Sequence, residues 1–434
     1  MYQLASDISD LLNGTNKVFV CFTPEILDFT KMGRVGVMSI YVSGQKLDIL
    51  LSNDNILDVC GILEASIFSK GYMVFAWGIK SFFSYVRFFS QKNLIPEAVL
   101  IDLKVIEKFL DVEKSCPTSL TEAINRAKFV GQFSEWKVLY NQVLLPLITK
   151  VVPGMETTPL LHTEFRTPVH AHYEIEGQRG GRLACSNVFE RGFNPHTMGD
   201  EVKKKLKPVG YDRPFMYLDF KQMEVWMLSY LSKDQQLQEL LDSGKDFYKV
   251  VYRMITMKDE NAEVSDSARK HCKLIFIQII YGMTAASLAK QFNIAYSVAH
   301  SIHENLRNSF PTAFGWLDSR IETIQDDIGK DYFGRPRNFK DKPYRIRNFT
   351  VQAPSAIFCL ERLVALHKAL KNIDAQICFN VHDGYGIVCT KESGNETYEV
   401  AKKSLESESL LLPGLKVPVE GQIGFNLIQM KTMK

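Results

Sequence analysis

Between Phe215 and Leu228 the chain reads FMYLDFKQMEVWML, and this segment constrains most of what surrounds it. The apolar residues before Asp219 suit a buried strand, and the positions Met223, Val225, Trp226, Leu228 and Tyr230 suit a helix. A carboxylate where a core strand breaks into a helix is costly to bury without a cation or a donor beside it. A second acid, Asp383, sits at the turn of a strand–turn–strand pattern over Phe379 to Val388. Two such turns brought together make a paired-carboxylate site for Mg²⁺, the arrangement that phosphoryl transfer uses.

Between the two acids, Arg269, Lys273, Ile277 and Tyr281 recur every four positions and are followed by Gly282. That spacing puts them on one face of a helix. Two cations, an apolar side chain and a phenol in that order offer a triphosphate clamp and then a surface for a base. In the same helix Ile275, Ile279 and Ile280 are expected to be core.

Together these pieces resemble the A, B and C motifs of the family A, DNA polymerase I-like, nucleotide polymerases. Motif A, usually D-Y-S-Q-I-E, is here Asp219-Phe220-Lys221-Gln222-Met223-Glu224. Motif B, usually R-x3-K-x3-F-x3-Y-G, is matched except for Ile277 in the Phe place. Motif C, usually H-D-E, is His382-Asp383-Gly384. Gly181–Ser186 is similar to the T-G-R-L-S-S segment, Tyr332–Arg337 to the L-F-G-R-R-R turn, and Asn348 to Gln352 to the N-x-x-x-Q helix. Val417 to Phe425 is similar to the terminal palm strand. The ordered set runs from about Gly181 to the C-terminus.

The resemblance implies an α+β (mixed α/β) fold: a right-hand polymerase palm and fingers with a reduced thumb, plus an N-terminal RNase H-like exonuclease-type domain. It implies a degenerate exonuclease domain over 1–117, a thumb or connector over 118–180, and palm and fingers over 181–434, the fingers near 234–312. The type expected is that of a phage or mobile element. Asp219 and Asp383, with the Phe220 carbonyl, would hold two Mg²⁺ ions, Mn²⁺ being an acceptable substitute. Arg269 and Lys273 would neutralise the triphosphate, Lys273 also acting in catalysis. Ile277, Tyr281, Glu224 and Tyr248 would contact the dNTP, Glu224 excluding a 2′-OH and bonding Tyr281. Arg182, Asn348, Gln352, His382, Arg335 and Arg337 would contact primer–template DNA. Ile277, Gly384 and Tyr248 replace a Phe, an acid and a His of the family pattern. The rival functions are a non-catalytic DNA-binding accessory subunit and a single-subunit RNA polymerase or primase.

The chain has 434 residues and a net charge of +3, so a nucleic-acid role is not announced by bulk charge. Lys203–Lys207 and Arg335–Arg347 are local basic clusters. Eight cysteines without a C-x-x-C exclude a zinc or disulfide framework, and Cys359 and Cys378 read as buried free thiols. No apolar stretch reads as a membrane span and no signal peptide is seen, so a cytoplasmic protein is expected, in a bacterial nucleoid or a phage-infected cell. A processivity or replisome protein is the expected partner beside DNA and dNTPs.

The first 117 residues alternate strands (Lys17–Phe22, Gly36–Val42, Lys46–Leu51) with helical or mixed stretches (Ala65–Phe75, Lys80–Phe89, Leu103–Leu110). Where a proofreading nuclease carries D-x-E, this chain has Cys21-Phe22-Thr23, and Gly78–Phe83 carries no acid. Asp102 alone remains, and one acid cannot hold two metals. Trp136–Val151 reads as a helix stopped by Pro153 and Gly154, with only Met155–Arg179 before Gly181. His162, His170 and His172 read as surface loop histidines, and His300 and His303 as solvent-facing.

Overall fold

In a computed structural model of the chain the described residues are 2–24, 34–90, 99–109, 116–131, 136–158, 160–164, 166–175, 178, 180–186, 193–210 and 213–433. They fall into two compact units, Met1–Lys221 with Ala356–Lys434, and Gln222–Ser355. The second unit is wider than the 234–312 assigned to fingers.

The first unit opens with a helix, Tyr2–Leu12, that no sequence signal announced. A five-stranded sheet follows, in the order Gln45–Ser52, Arg34–Val42, Lys17–Pro24, Met73–Trp77, Val99–Asp102. The first three strands are antiparallel neighbours, and the last two run parallel to Lys17–Pro24. Parallel pairing needs crossover helices, supplied by Ile56–Leu63 with its wide π turn Glu64–Phe68, and by Ile79–Ser90. The stretch Ala65–Phe75 therefore divides, helical to Phe68 and strand from Met73. Asp102 is fully buried and caps local backbone, accepting from the Ile79 N–H at 3.3 Å and the Lys104 N–H at 3.1 Å.

Trp136–Thr157 is helical throughout, passing Pro153 where the sequence suggests an end. Proline clashes with the carbonyl four residues back. The π turns Tyr140–Leu144 and Leu147–Val151 widen the helix just before it. Leu144, Leu147, Ile148, Val151 and Met155 are buried, so this helix belongs to the core of the first unit and is no projecting thumb. Between Thr158 and Gly181 the described residues form only short strands.

Glu156, on that helix, has no exposed surface. It accepts from Lys80 Nζ at 2.7 Å, the Tyr173 N–H at 2.7 Å and the Ser84 hydroxyl, with His172 Nδ1 at 3.2 Å. Burial alone would raise its pKa; Lys80 and His172 outweigh burial and hold it at about 2. His170 Nδ1 meets the Glu156 carbonyl at 2.8 Å. His170 and His172 are thus buried anchors, not surface loop histidines, held by the Glu156 main-chain carbonyl and carboxylate respectively.

The palm-type sheet of the first unit runs Ala375–Val381, Gly384–Cys389, Phe215–Phe220, Val419–Gly424, Lys431–Thr432, antiparallel throughout. The second unit is helical from Met223–Ser232 to Pro311–Glu322, with a small hairpin, Ile328–Lys330 and Pro336–Asn338. Asp234, Asp246, Ser265 and Thr284 cap successive helices there with their side chains. Its aromatic core joins Phe247, Tyr248, Phe276 and Phe310. Phe276, not Ile275, is the buried partner on the Asp266–Ile280 helix; Ile275 is half-buried and Leu274 is 54% exposed. His300 is exposed as expected, but His303 is half-buried. One segment, Pro343–Asn372, is after all long and apolar enough to cross a membrane, and most of it is buried in the protein as a core helix is. All eight cysteines are free, Cys359 and Cys378 among the buried ones.

Glu156→Ala leaves the Lys80 ammonium buried without its counterion. The expected cost is about 3–5 kcal/mol in urea unfolding followed by circular dichroism. The lowered Glu156 pKa contributes stability that is present above the unfolded carboxyl value of about 4.3. That stability is lost as pH falls toward about 2, and the variant should lack this acid limb.

Candidate active site

Strand pairing sets the position of both acids. Asp219 lies opposite Gly384 on one side and Glu420 on the other. Asp383 is the second residue of the two-residue turn between Val381 and Gly384, and the first, His382, takes the left-handed conformation at φ 55°. The buried Asn380 side chain fastens this turn, donating to the carbonyls of His382 at 3.2 Å and Gly384 at 2.9 Å. The Tyr173 hydroxyl in turn fixes Asn380, accepting from its N–H at 2.8 Å and donating to its carbonyl at 3.1 Å. The Phe220 N–H reaches the Asp383 carbonyl at 3.4 Å. Asp219 and Asp383 thus flank one glycine, and Phe220 adjoins both.

That glycine is required. A Cβ on Gly384 would stand 2.0 Å from the Tyr217 hydroxyl oxygen and 3.0 Å from Asp219 Oδ1. Tyr217 therefore fills the space that the second acid of the family's C motif would need. Burial, then the charges of Asp219 and Asp383, push the Tyr217 hydroxyl well above its ordinary pKa. Sequence reasoning missed Tyr217, Tyr173 and Asn380; of these Tyr217 had a signal, since it stands two residues before Asp219 on the same strand face.

Arg182 acts electrostatically on His196 and on Cys359, and Cys359 also feels Asp383 and Asp219. The His196 and His382 rings stand 4.8 Å apart, and burial first, then His382, holds His196 neutral with a pKa of about 4. Glu420 is engaged by Lys221 at 2.9 Å.

In the second unit the Asp266–Ile280 helix presents Arg269, Lys273 and Ile277 as expected from their spacing. Arg269 Nε donates to Asp246 at 2.6 Å, and Asp246 also caps the Phe247–Thr256 helix. The Arg269 guanidinium and Lys273 Nζ lie 5.7 and 5.9 Å from the centre of the Tyr248 ring, a cation–π shelf. Burial and the Glu224 charge raise the Tyr248 pKa. Glu224 Oε1 accepts from Gln352 Nε2 at 3.2 Å. Tyr281 ends the helix just before Gly282, whose φ of +94° only glycine adopts readily. Asn348 is half-buried on the helix that carries Gln352.

Arg335 and Arg337 do not sit on a basic surface. Arg335 is 1% exposed, with its Nε 2.7 Å from Asp331, and Arg337 is 8% exposed with its guanidinium 5.1 Å over Phe349. Arg335, paired with Asp331, and the buried Arg337 therefore lie outside the exposed part of that basic cluster. Arg345, Lys340 and Lys342 are the exposed members of that cluster.

Residues 113–427 match the family model for DNA polymerase family A. The chain belongs to DNA polymerase family A. Among its relatives are thermostable DNA polymerase I of Thermus filiformis, 26% identical over 68% of this chain, and DNA polymerase I of Aquifex aeolicus, 27% identical over 48%. These matches span 35% and 38% of the relatives' own lengths. The POL domain of Pol1 from M. smegmatis, solved in complex with DNA primer-template and dNTP, shares the fold. Its TM-score is 0.77 at 14% identity, over 98% of each chain.

Family A DNA polymerases depend on divalent metal, and the donor set fits one. Two carboxylates converge beside a phenol that feels both charges. Among the described residues no group of three or more His, Cys, Asp or Glu gathers. Mg²⁺ commonly binds through one or two carboxylates, with substrate phosphates and water completing its shell.

Gly384→Ala should lower the thermal midpoint by an amount equivalent to about 1–3 kcal/mol, the usual cost of overpacking. In a Tyr217→Ala background the same Gly384→Ala change should cost much less in differential scanning fluorimetry, each compared with its own parent. An equal cost in both backgrounds would mean that another contact forbids the methyl.

Proposed function

We propose that this chain is a template-directed DNA polymerase that extends a primer 3′-OH with dNTPs. The observation that carries this reading is the register placing Asp219 opposite Gly384, one residue from Asp383. Two Mg²⁺ ions held there would acidify the primer hydroxyl and stabilise the charge of the departing pyrophosphate. Asp219, Asp383 and the Phe220 carbonyl orient that site. Arg269 and Lys273 bind the triphosphate, Arg in a fork and Lys as a point charge, and Lys273 offsets charge that grows on the leaving group. Tyr248 underlies both cations; Ile277 and Tyr281 continue the surface toward the base.

Glu224, steadied by Gln352, supports deoxynucleotides over ribonucleotides, because its carboxylate occupies the volume that a 2′-OH needs. Arg182, Asn348, Gln352 and His382 are the groups we assign to primer–template contact. The N-terminal sheet serves as a platform without nuclease activity, since Cys21-Phe22-Thr23 and Gly78–Phe83 carry no acid where metal-binding ones would be. With so little chain between Thr157 and Gly181, the grip of a thumb would come from elsewhere, a processivity partner being one source. The site of action we assign is the cytoplasm.

The test is primer extension with dNTPs and Mg²⁺. Asp219→Asn and Asp383→Asn should each lower the rate at least about a hundredfold, while gel-shift binding of primer–template stays within a few-fold. Extension kept within tenfold in either variant would sink the assignment. Glu224→Ala should raise ribonucleotide incorporation relative to deoxynucleotide, measured as a ratio of kcat/KM values. An unchanged ratio would favour the RNA polymerase reading.

A further inference from the structure

A concave pocket of about 540 Å³ opens in the first unit, lined by Ala375, Gln376 and Ile377 at the start of the strand that leads to Asp383. A strand rises about 3.3 Å per residue, so Ile377, the lining residue nearest the acids, lies about 13 Å from the strand end at Val381 that leads into the Asp383 turn. The pocket and the acid pair are separate sites.

Among the described residues the pocket wall carries Arg87, Lys150, His367, Lys368 and Lys371, and no Asp or Glu. Acids nearby in sequence are committed elsewhere. Glu156 is held by Lys80 and His172, and Asp374 accepts from Arg213 at 2.6 Å. These groups come from separate elements, Arg87 from the Ile79–Ser90 helix, Lys150 from the Trp136–Thr157 helix and His367 from the Ile346–Ala369 helix. The last two approach closely, since a Cβ on Gly154 would be 3.8 Å from His367 Cε1. Burial lowers the His367 pKa, and Arg87 and Lys150 lower it further. Lys150, Lys368 and Lys371 gather positive charge around one cavity, and an anion there relieves their mutual repulsion.

Val151, Met155, Leu370 and Ile373 add apolar lining beside Thr158, and no Phe, Tyr or Trp that could stack a base is among the described lining residues. The recognised feature is therefore the anion. The volume falls within the range of about 300–1,000 Å³ of small-molecule sites. We propose that this pocket is a second anion site of the chain that binds a phosphate-bearing ligand of nucleotide size. Its phosphates would meet Lys150, Lys368 and Lys371, and its less polar body would lie on Val151, Met155 and Leu370. Phosphate could come from a free nucleotide or polyphosphate, or from the backbone of a strand.

The experiment is isothermal titration calorimetry of the full chain in EDTA, with Lys273→Ala throughout to weaken the nucleotide clamp of the second unit. The probes are inorganic tripolyphosphate, dATP and a short oligothymidylate. Tripolyphosphate should bind, and Lys150→Glu with Lys371→Glu should weaken it at least about tenfold, a loss of 1.4 kcal/mol or more. Lys368 and Lys371 are exposed, so Lys368→Glu with Lys371→Glu serves as a second pair that leaves the core untouched. Tighter binding of dATP than of tripolyphosphate identifies a free nucleotide as the ligand. Tighter binding of oligothymidylate, with the same lysine dependence, identifies a strand. No binding of any probe, or binding indifferent to both charge reversals, overturns the proposal. Primer extension by the same lysine variants, made with Lys273 intact, should be unchanged, which separates this site from the polymerase reading.

Discussion

The antiparallel pairing of Phe215–Phe220 with Gly384–Cys389 is the constraint on which the rest of the molecule depends. It brings two acids 164 positions apart in sequence to the two sides of one glycine. Side chains alternate along a strand, so a slip of one residue would turn Asp219 to the other face. Asn380 and Tyr173 guard against such a slip by fixing the turn that carries Asp383. Tyr217 guards it from the other strand, because only glycine at 384 admits its ring. The precision of the acid pair is thus a property of backbone pairing, with side chains closing off the alternatives.

The same logic explains why the chain departs from its family at motif C. An acid in place of Gly384 and a tyrosine at 217 are mutually exclusive in this sheet. The phenol keeps a polar oxygen near the carboxylates without adding charge. In the second unit, likewise, Tyr248 supports two cations through its ring face where the family pattern often has a histidine.

The acids and the Arg269–Tyr281 series were legible in the sequence because each lies within a run whose period is fixed by one element. The Asp219 break between strand and helix is sharp because Gln222 takes φ 51° just before Met223–Ser232. Long-range partnerships were not legible. Glu156 meets Lys80 across 76 positions, and Tyr217 meets Gly384 only through pairing. Arg335 read as a surface cation because Asp331, four residues earlier, gives no sign that both will be buried. On the Asp266–Ile280 helix, near-continuous apolar sequence hid its phase, so Phe276 was overlooked in favour of Ile275. The N-terminal order of strands was readable, while the helix through Pro153 depended on π turns that composition does not reveal.

The central claim is that Asp219 and Asp383 form one divalent-metal site. Mn²⁺ binding followed by electron paramagnetic resonance tests it most directly, on the full chain with a dideoxy-terminated primer–template and a non-hydrolysable dNTP analogue. The account predicts two tightly bound Mn²⁺ ions per chain in the unaltered protein, and a spin–spin interaction between them, as expected for ions about 3.5–4 Å apart. Asp219→Asn and Asp383→Asn should each abolish that interaction. Two coupled ions persisting in both variants would contradict the account, because the metals would then be held by other groups.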